Sequence, residues 1–152
     1  GVRQGVALSA LLLAVLSISQ AGSSNVTTVS TASASSQNAA TWTPERLQQL
    51  RSQGQPVLVN MTADWCITCL VNERVALNTD SSKAALALYD VTYLKGDWTL
   101  RDAAITDYLR QYQRDGVPLY VLYWPGQAPE VLPQILTPDT LATTLERLSR
   151  QP

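Results

Sequence analysis

From residue 43 onward, apolar positions fall alternately into helical stripes and short continuous runs. Thr43-Pro44-Glu45 reads as a helix start: threonine caps, proline occupies the first turn, and the carboxylate favours the positive end. Leu47 and Leu50 give that helix one apolar stripe, and Gly54 ends it. Val57 to Met61 is a short strand. A second helix opens at about Cys66, with Leu70, Val71, Val75 and Leu77 available to face a core. Ser81 to Leu88 reads as a short helical turn and Val91 to Leu94 as a strand. Asp97 or Thr99 can cap a longer helix in which Ile105, Tyr108, Leu109 and Tyr112 mark one buried face, and Asp115-Gly116 breaks it. Leu119 to Trp124 is strongly β-prone, Pro125-Gly126 turns the chain, and Glu130 to Leu132 returns as a hairpin partner. Thr137-Pro138-Asp139 starts a final helix with Leu141, Leu145 and Leu148 facing inward. The predicted order is helix, strand, helix, strand, helix, strand, strand, helix, without an internal repeat. Such an order predicts an α/β domain, a central mixed β-sheet with helices on both faces.

The first forty residues follow other rules. Gly5 to Ile18 is uncharged and largely apolar, preceded by Arg3 and followed by Ser19-Gln20-Ala21-Gly22. Residues 1–21 fit either a signal segment, with a basic start and a small-residue site at Ala21, or the end of a transmembrane helix. A chain that begins with Gly rather than Met is expected to be a fragment, and the apolar run could then close a longer membrane region. In both readings Arg3 stays cytoplasmic and the C-terminal domain is exported. A buried soluble helix is the third alternative. Residues 22–40 are rich in Ser, Thr, Ala and Asn, without charge or aromatic residue, and should form a flexible linker.

Charge sharpens this division. Arg3 is the only charged residue before Glu45, so all 12 acidic and 10 of the 11 basic residues belong to the expected domain, residues 41–152. A net charge of −1 and the absence of a basic stripe give no indication of nucleic-acid binding. About 112 residues suffice for one hydrophobic core.

The candidate chemistry lies in Trp65-Cys66-Ile67-Thr68-Cys69, which holds both cysteines of the chain. Thiols three positions apart at a helix start can close a small disulfide ring and reopen it. Unpartnered N–H groups of the first turn and the helix dipole both favour thiolate there. Three other uses compete with redox exchange. A structural disulfide would close too short a loop to restrict the unfolded chain much. A closed zinc site normally needs four ligands, and the chain has no histidine and no third cysteine. A Cu(I) ion held by two thiolates, with Met61 as a further soft ligand, stays open.

Several segments together resemble one family. Ala63-Asp64-Trp65-Cys66-Ile67-Thr68-Cys69, Val71-Asn72-Glu73, Asp97-Trp98-Thr99 and Gly116-Val117-Pro118-Leu119-Tyr120 are similar to the C-terminal domain of the DsbD family, membrane thiol:disulfide interchange proteins that include a copper-sensitivity-suppressor branch. The resemblance covers about residues 56–150 and implies a thioredoxin-like fold behind an apolar segment and linker. It implies a protein-disulfide reductase at the bacterial inner membrane, its thioredoxin-like domain facing the periplasm. Its partners would be the membrane electron-transfer domain of a DsbD-like protein and periplasmic disulfide-bearing proteins, the candidates being a second periplasmic domain, cytochrome c maturation factors or a disulfide isomerase. No bound cofactor is needed, because the electrons reside in the Cys66-Cys69 pair. An exported oxidase or isomerase, or a non-enzymatic Cu(I)-binding module, is the alternative.

The resemblance also implies roles. Cys66 is the expected nucleophile and Cys69 the resolving thiol. Pro118 matches the family's cis-proline, leaving the Val117 backbone free to pair with a substrate segment. Trp65 is expected to flank the dithiol as contact surface, or else to pack in the core. Thioredoxins, and much of this family, carry a buried Asp six residues before the first cysteine; here that position is Asn60, whose amide cannot act as a general base. Glu73, four residues after Cys69, is the candidate carboxylate in its place, with an ordinary solvated helix residue as the alternative. Asp64 and Asp97 read as loop residues without a catalytic role.

Overall fold

A computed structural model describes residues 39–151 of the chain. The apolar run of residues 5–18, and all but the last two residues of the 22–40 linker, lie outside the described residues.

Five strands form one mixed sheet: β1 (Ala40–Thr41), β2 (Val57–Thr62), β3 (Thr92–Asp97), β4 (Leu119–Tyr123) and β5 (Glu130–Val131), in the order β1-β3-β2-β4-β5. β1 and β2 run parallel to β3, while β4 is antiparallel to both β2 and β5. Helices α1 (Pro44–Ser52), α2 (Ile67–Asn72), α3 (Asp80–Leu88), α4 (Ala103–Gln111) and α5 (Thr140–Ser149) connect and cover the strands. α2 continues into a π turn, Glu73–Leu77, closed by the Asn78 N–H donating to the Glu73 carbonyl at 2.7 Å.

Central strands buried on both faces need apolar residues at every position, and β2 and β4 supply almost nothing else. Alternation divides these residues between two cores. Val57, Val59 and Met61 of β2 join Leu119, Val121 and Tyr123 of β4 beneath Leu47 and Leu50 of α1 and Ile105, Tyr108 and Leu109 of α4. On the other face Leu58, Tyr120 and Leu122 meet Ala76 and Leu77 of the π turn, Leu86 of α3 and Leu141, Leu145 and Leu148 of α5. The mixed sheet with helices on both faces is as expected, and so are the inward leucines of α1 and α5.

Three expectations need correction. The second helix buries Leu77 as expected but turns Leu70, Val71 and Val75 outward, with Cys69, Asn72 and Ala76 buried in their place. Asn72 fixes that phase: its amide donates to the Tyr120 hydroxyl at 3.0 Å and the Gln134 carbonyl at 2.6 Å, and its oxygen accepts from Leu136 N–H at 3.1 Å. A buried polar anchor thus overrides the apolar periodicity. The longer helix is capped by Asp102, which accepts from Ile105 N–H at 3.0 Å, rather than by Asp97 or Thr99, whose side chains bond each other in the preceding loop. The short helical turn expected over Ser81 to Leu88 is a nine-residue helix, Asp80–Leu88, capped by Thr79. A strand at Ala40–Thr41, which carried no sequence signal, pairs with Leu94 and Lys95 and brings Trp42 into the core.

Candidate active site

Register assembles the site. β2 runs parallel to β3 with Thr62 opposite Asp97, and antiparallel to β4 with Met61 opposite Leu119. The end of β2 therefore stands beside the end of β3, which leads into Trp98 and Thr99, and the start of β4, which follows Val117 and Pro118. Three loops from distant parts of the chain meet there.

Cys66 occupies the N-cap of α2 and is disulfide-bonded to Cys69, their Cα atoms 5.2 Å apart. Cys66 is 7% exposed and Cys69 fully buried, so a partner sulfur meets Cys66 first. The Cys69 N–H donates to the Cys66 sulfur at 3.2 Å. That donor, with the other free N–H groups of the first turn, favours negative charge on Cys66 once the bond opens. Ala63 and the partly buried Val117 pack against the two cysteines, and the Val117–Pro118 peptide is cis.

Trp65 is half exposed, which removes the core reading, and its indole N–H donates to the Thr99 carbonyl at 3.2 Å. The neighbouring Trp98 is the buried member, its ring 6.0 Å from that of Trp65 and its N–H given to the Thr106 hydroxyl at 2.8 Å. Thr99 also accepts from the Asp64 N–H at 2.9 Å. Sequence reasoning left Trp98 and Thr99 without a role; they brace the loop that presents Trp65. Asp97 holds Thr99 through hydroxyl and N–H, and those hydrogen bonds keep its carboxyl below the ordinary range.

Glu73 is not a solvated surface residue. One carboxylate oxygen receives Lys95 Nζ at 2.8 Å, the other the Asn60 amide at 3.2 Å. Asn60, fully buried, also donates to the Tyr93 hydroxyl at 2.8 Å, while its own oxygen finds no partner among the described residues. Burial pushes the Tyr93 hydroxyl well above the ordinary phenol range. Glu73 follows Cys69 by one turn, its N–H bonded to the Cys69 carbonyl. Lys95 and Tyr93 were missed from sequence, although β2–β3 pairing sets Lys95 directly beside Asn60. Met61 lies in the core under α1 and α4, in a different cluster from the cysteines, so the structure does not gather these three sulfurs into one ligand set. Among the described residues no helix is long and apolar enough to cross a membrane.

Comparison with known proteins agrees with this geometry. The thiol:disulfide interchange protein DsbD 1 of Pseudomonas aeruginosa is 36% identical over 80 residues, which is 53% of this chain but 13% of that protein. A DsbD of Yersinia pestis is 28% identical over 81 residues, again 13% of its length. The chain thus matches only a small part of these relatives. Among solved structures, the C-terminal domain of Neisseria meningitidis DsbD in the oxidised form superimposes with a TM-score of 0.58 at 20% identity, covering 71% of this chain and 98% of that domain. Its reduced form gives 0.54 at 22% identity, covering 66% and 87%. These likenesses show a thioredoxin-like fold, and the fold with its Cys66–Cys69 pair supports thiol:disulfide oxidoreductase activity in general. A family model described as thioredoxin-like matches residues 38–125, more than half of the chain, and the chain accordingly belongs to the thioredoxin-like family.

Proposed function

We propose that this chain is a protein-disulfide reductase that relays electrons by dithiol–disulfide exchange. It takes them from the membrane electron-transfer domain of a DsbD-like protein and passes them to periplasmic disulfide-bearing proteins, from a position at the bacterial inner membrane. The observation that carries the proposal is the asymmetric pair at the start of α2, with Cys66 the slightly exposed sulfur beneath an N–H donor and Cys69 wholly buried. Similarity to thiol:disulfide interchange proteins supports the exchange chemistry.

In the forward step the Cys66 thiolate attacks a partner disulfide. A bond forms between Cys66 and one partner sulfur, and the other leaves as thiolate and takes up a proton. Cys69 then loses its proton and attacks Cys66, closing the Cys66–Cys69 bond and releasing the second partner sulfur. Two electrons have passed to the partner. The dithiol itself is the carrier, so the step uses no cofactor. Trp65, Val117 and Pro118 would form the surface against which the partner segment lies. Glu73, one turn after Cys69, would exchange a proton with the resolving thiol, because the Asn60 amide cannot.

Trapping tests the reading. With Cys69→Ser, the full chain should accumulate a mixed disulfide through Cys66 and carry its partner with it; Cys66→Ser should trap nothing. A redox titration fixes the direction, since a reductant of this kind should lie near about −270 mV and an oxidant near about −120 mV. Recovery of no Cys66 adduct in cells would remove the relay.

A further inference from the structure

We propose that a cleft beside Trp98, walled by Arg101, Arg110 and Arg114, receives an acidic side chain of the protein whose disulfide this chain exchanges. The inference rests on the proposed exchange reaction and names the chemistry of the partner. The cleft measures about 180 Å³, room for a side chain rather than a free cofactor, and Thr106, Leu109 and Asp115 complete its walls.

Two observations tie it to the disulfide. Trp98 forms one wall, and its ring lies tilted against that of Trp65, which directly precedes Cys66. On the other side, Arg114 and Asp115 lead through Gly116 into Val117 and Pro118, and Gly116 backs onto the Trp98 ring, 3.7 Å from where a Cβ would stand. A segment lying along Val117 toward Cys66 would therefore pass the mouth of the cleft.

Charge decides what fits. Arg110 is paired with Asp107 at 3.1 Å, whereas Arg101 and Arg114 make no ion pair among the described residues. Asp97 is engaged by Thr99 and Asp102 by the α4 N-terminus, leaving Asp115 as the one carboxylate on the wall. Arg101 takes a left-handed backbone (φ 57°), and its guanidinium lies 5.0 Å over Trp98 and 6.0 Å over Trp65. A non-glycine residue seldom adopts that conformation, and here it holds the guanidinium across the indole pair. Planar guanidinium groups with unused donors match a carboxylate in two-point geometry.

The test uses the reduced full chain and disulfide-linked peptides that differ only in two positions beside the cysteine, filled by Glu, Gln or Lys. At low salt the Glu peptide should exchange about tenfold faster than the Lys peptide, and the ratio should approach one near 1 M salt, where screening acts within about 3 Å. Arg101→Glu with Arg114→Glu should invert the ranking, and Arg101→Gln with Arg114→Gln should flatten it, each rate taken relative to the Gln peptide. A ratio near one in the parent, or a preference that survives both double variants, overturns the proposal. A Glu peptide with serine in place of cysteine provides a second measure. It should perturb indole fluorescence on binding the parent and not the Arg→Gln double variant, and failure to bind the parent also overturns the proposal. If no peptide exchanges, the reductase reading fails, while this binding measurement still decides the cleft.

Discussion

The buried amide of Asn60 organises the charges around it. Glu73 supplies a carboxylate from the helix, Lys95 supplies its counter-ion from the neighbouring strand, and Asn60 links both to Tyr93. Glu73→Gln should keep the packing but slow release of the mixed disulfide by about tenfold or more, measured by quenched-flow trapping of the Cys66 adduct. Removing a nearby negative charge should also move Cys66 alkylation to lower pH. Unchanged rates and an unchanged profile would falsify the role of Glu73. Lys95→Met leaves the carboxylate without its cation; because Lys95 is partly solvated, the expected loss is only about 1 kcal/mol in urea unfolding. The Cys66–Cys69 pair with Trp65 beside it was legible because its spacing is local, and the cis peptide at Pro118 because its segment resembles the DsbD family. Lys95, Tyr93 and Arg101 were not, since their importance arises from strand register and from one backbone angle.

Among the elements, strands and helix-capped segments were readable because each rule acts over a few residues. Thr43-Pro44 set the start of α1, and the unbroken apolar runs marked β2 and β4. α2 was misread because its apolar residues outnumber its buried ones, and a polar side chain determines which face turns inward. Asn72→Leu should therefore cost more than a usual surface change, about 2–4 kcal/mol, because the Leu136 N–H, the Gln134 carbonyl and the Tyr120 hydroxyl lose their partner together. Chemical denaturation would measure it. In β3 a Cβ at Gly96 would run into the Met61 sulfur and press on Ile105. Gly96→Ala should destabilise by about 1–3 kcal/mol, checked by the midpoint of thermal unfolding, and Gly96→Ala combined with Met61→Ala should lose less than the two single losses added together.

On the scale of the whole molecule, the fold buries phenols on both sides of the sheet. Tyr108, Tyr112 and Tyr123 join hydroxyls on one face, and Tyr120 meets Asn72 on the other. Burial, ahead of every other cause, pushes the Tyr120 hydroxyl up to about 12 and raises Tyr93, Tyr108 and Tyr123 as well. The unfolded chain ionises its tyrosines near about pH 10. The folded state thus holds its protons longer, and the associated stability is complete below pH 10 and declines above it, through about 12 for Tyr120. Unfolding followed by circular dichroism from pH 8 to 12 should show that decline, and Tyr120→Phe should lessen it. The general architecture was legible because two cores and a mixed sheet follow from alternating faces; the strand at Ala40 was not, because two residues carry no periodicity. One last consequence follows from how few residues separate the sulfurs. Cys66 and Cys69 stand three positions apart, so their bond tethers almost none of the unfolded chain. The bond should then add only about 2 kcal/mol to the oxidised form, against about 4.7 kcal/mol for a loop of 100 residues, so the scaffold can stand with its sulfurs joined or parted.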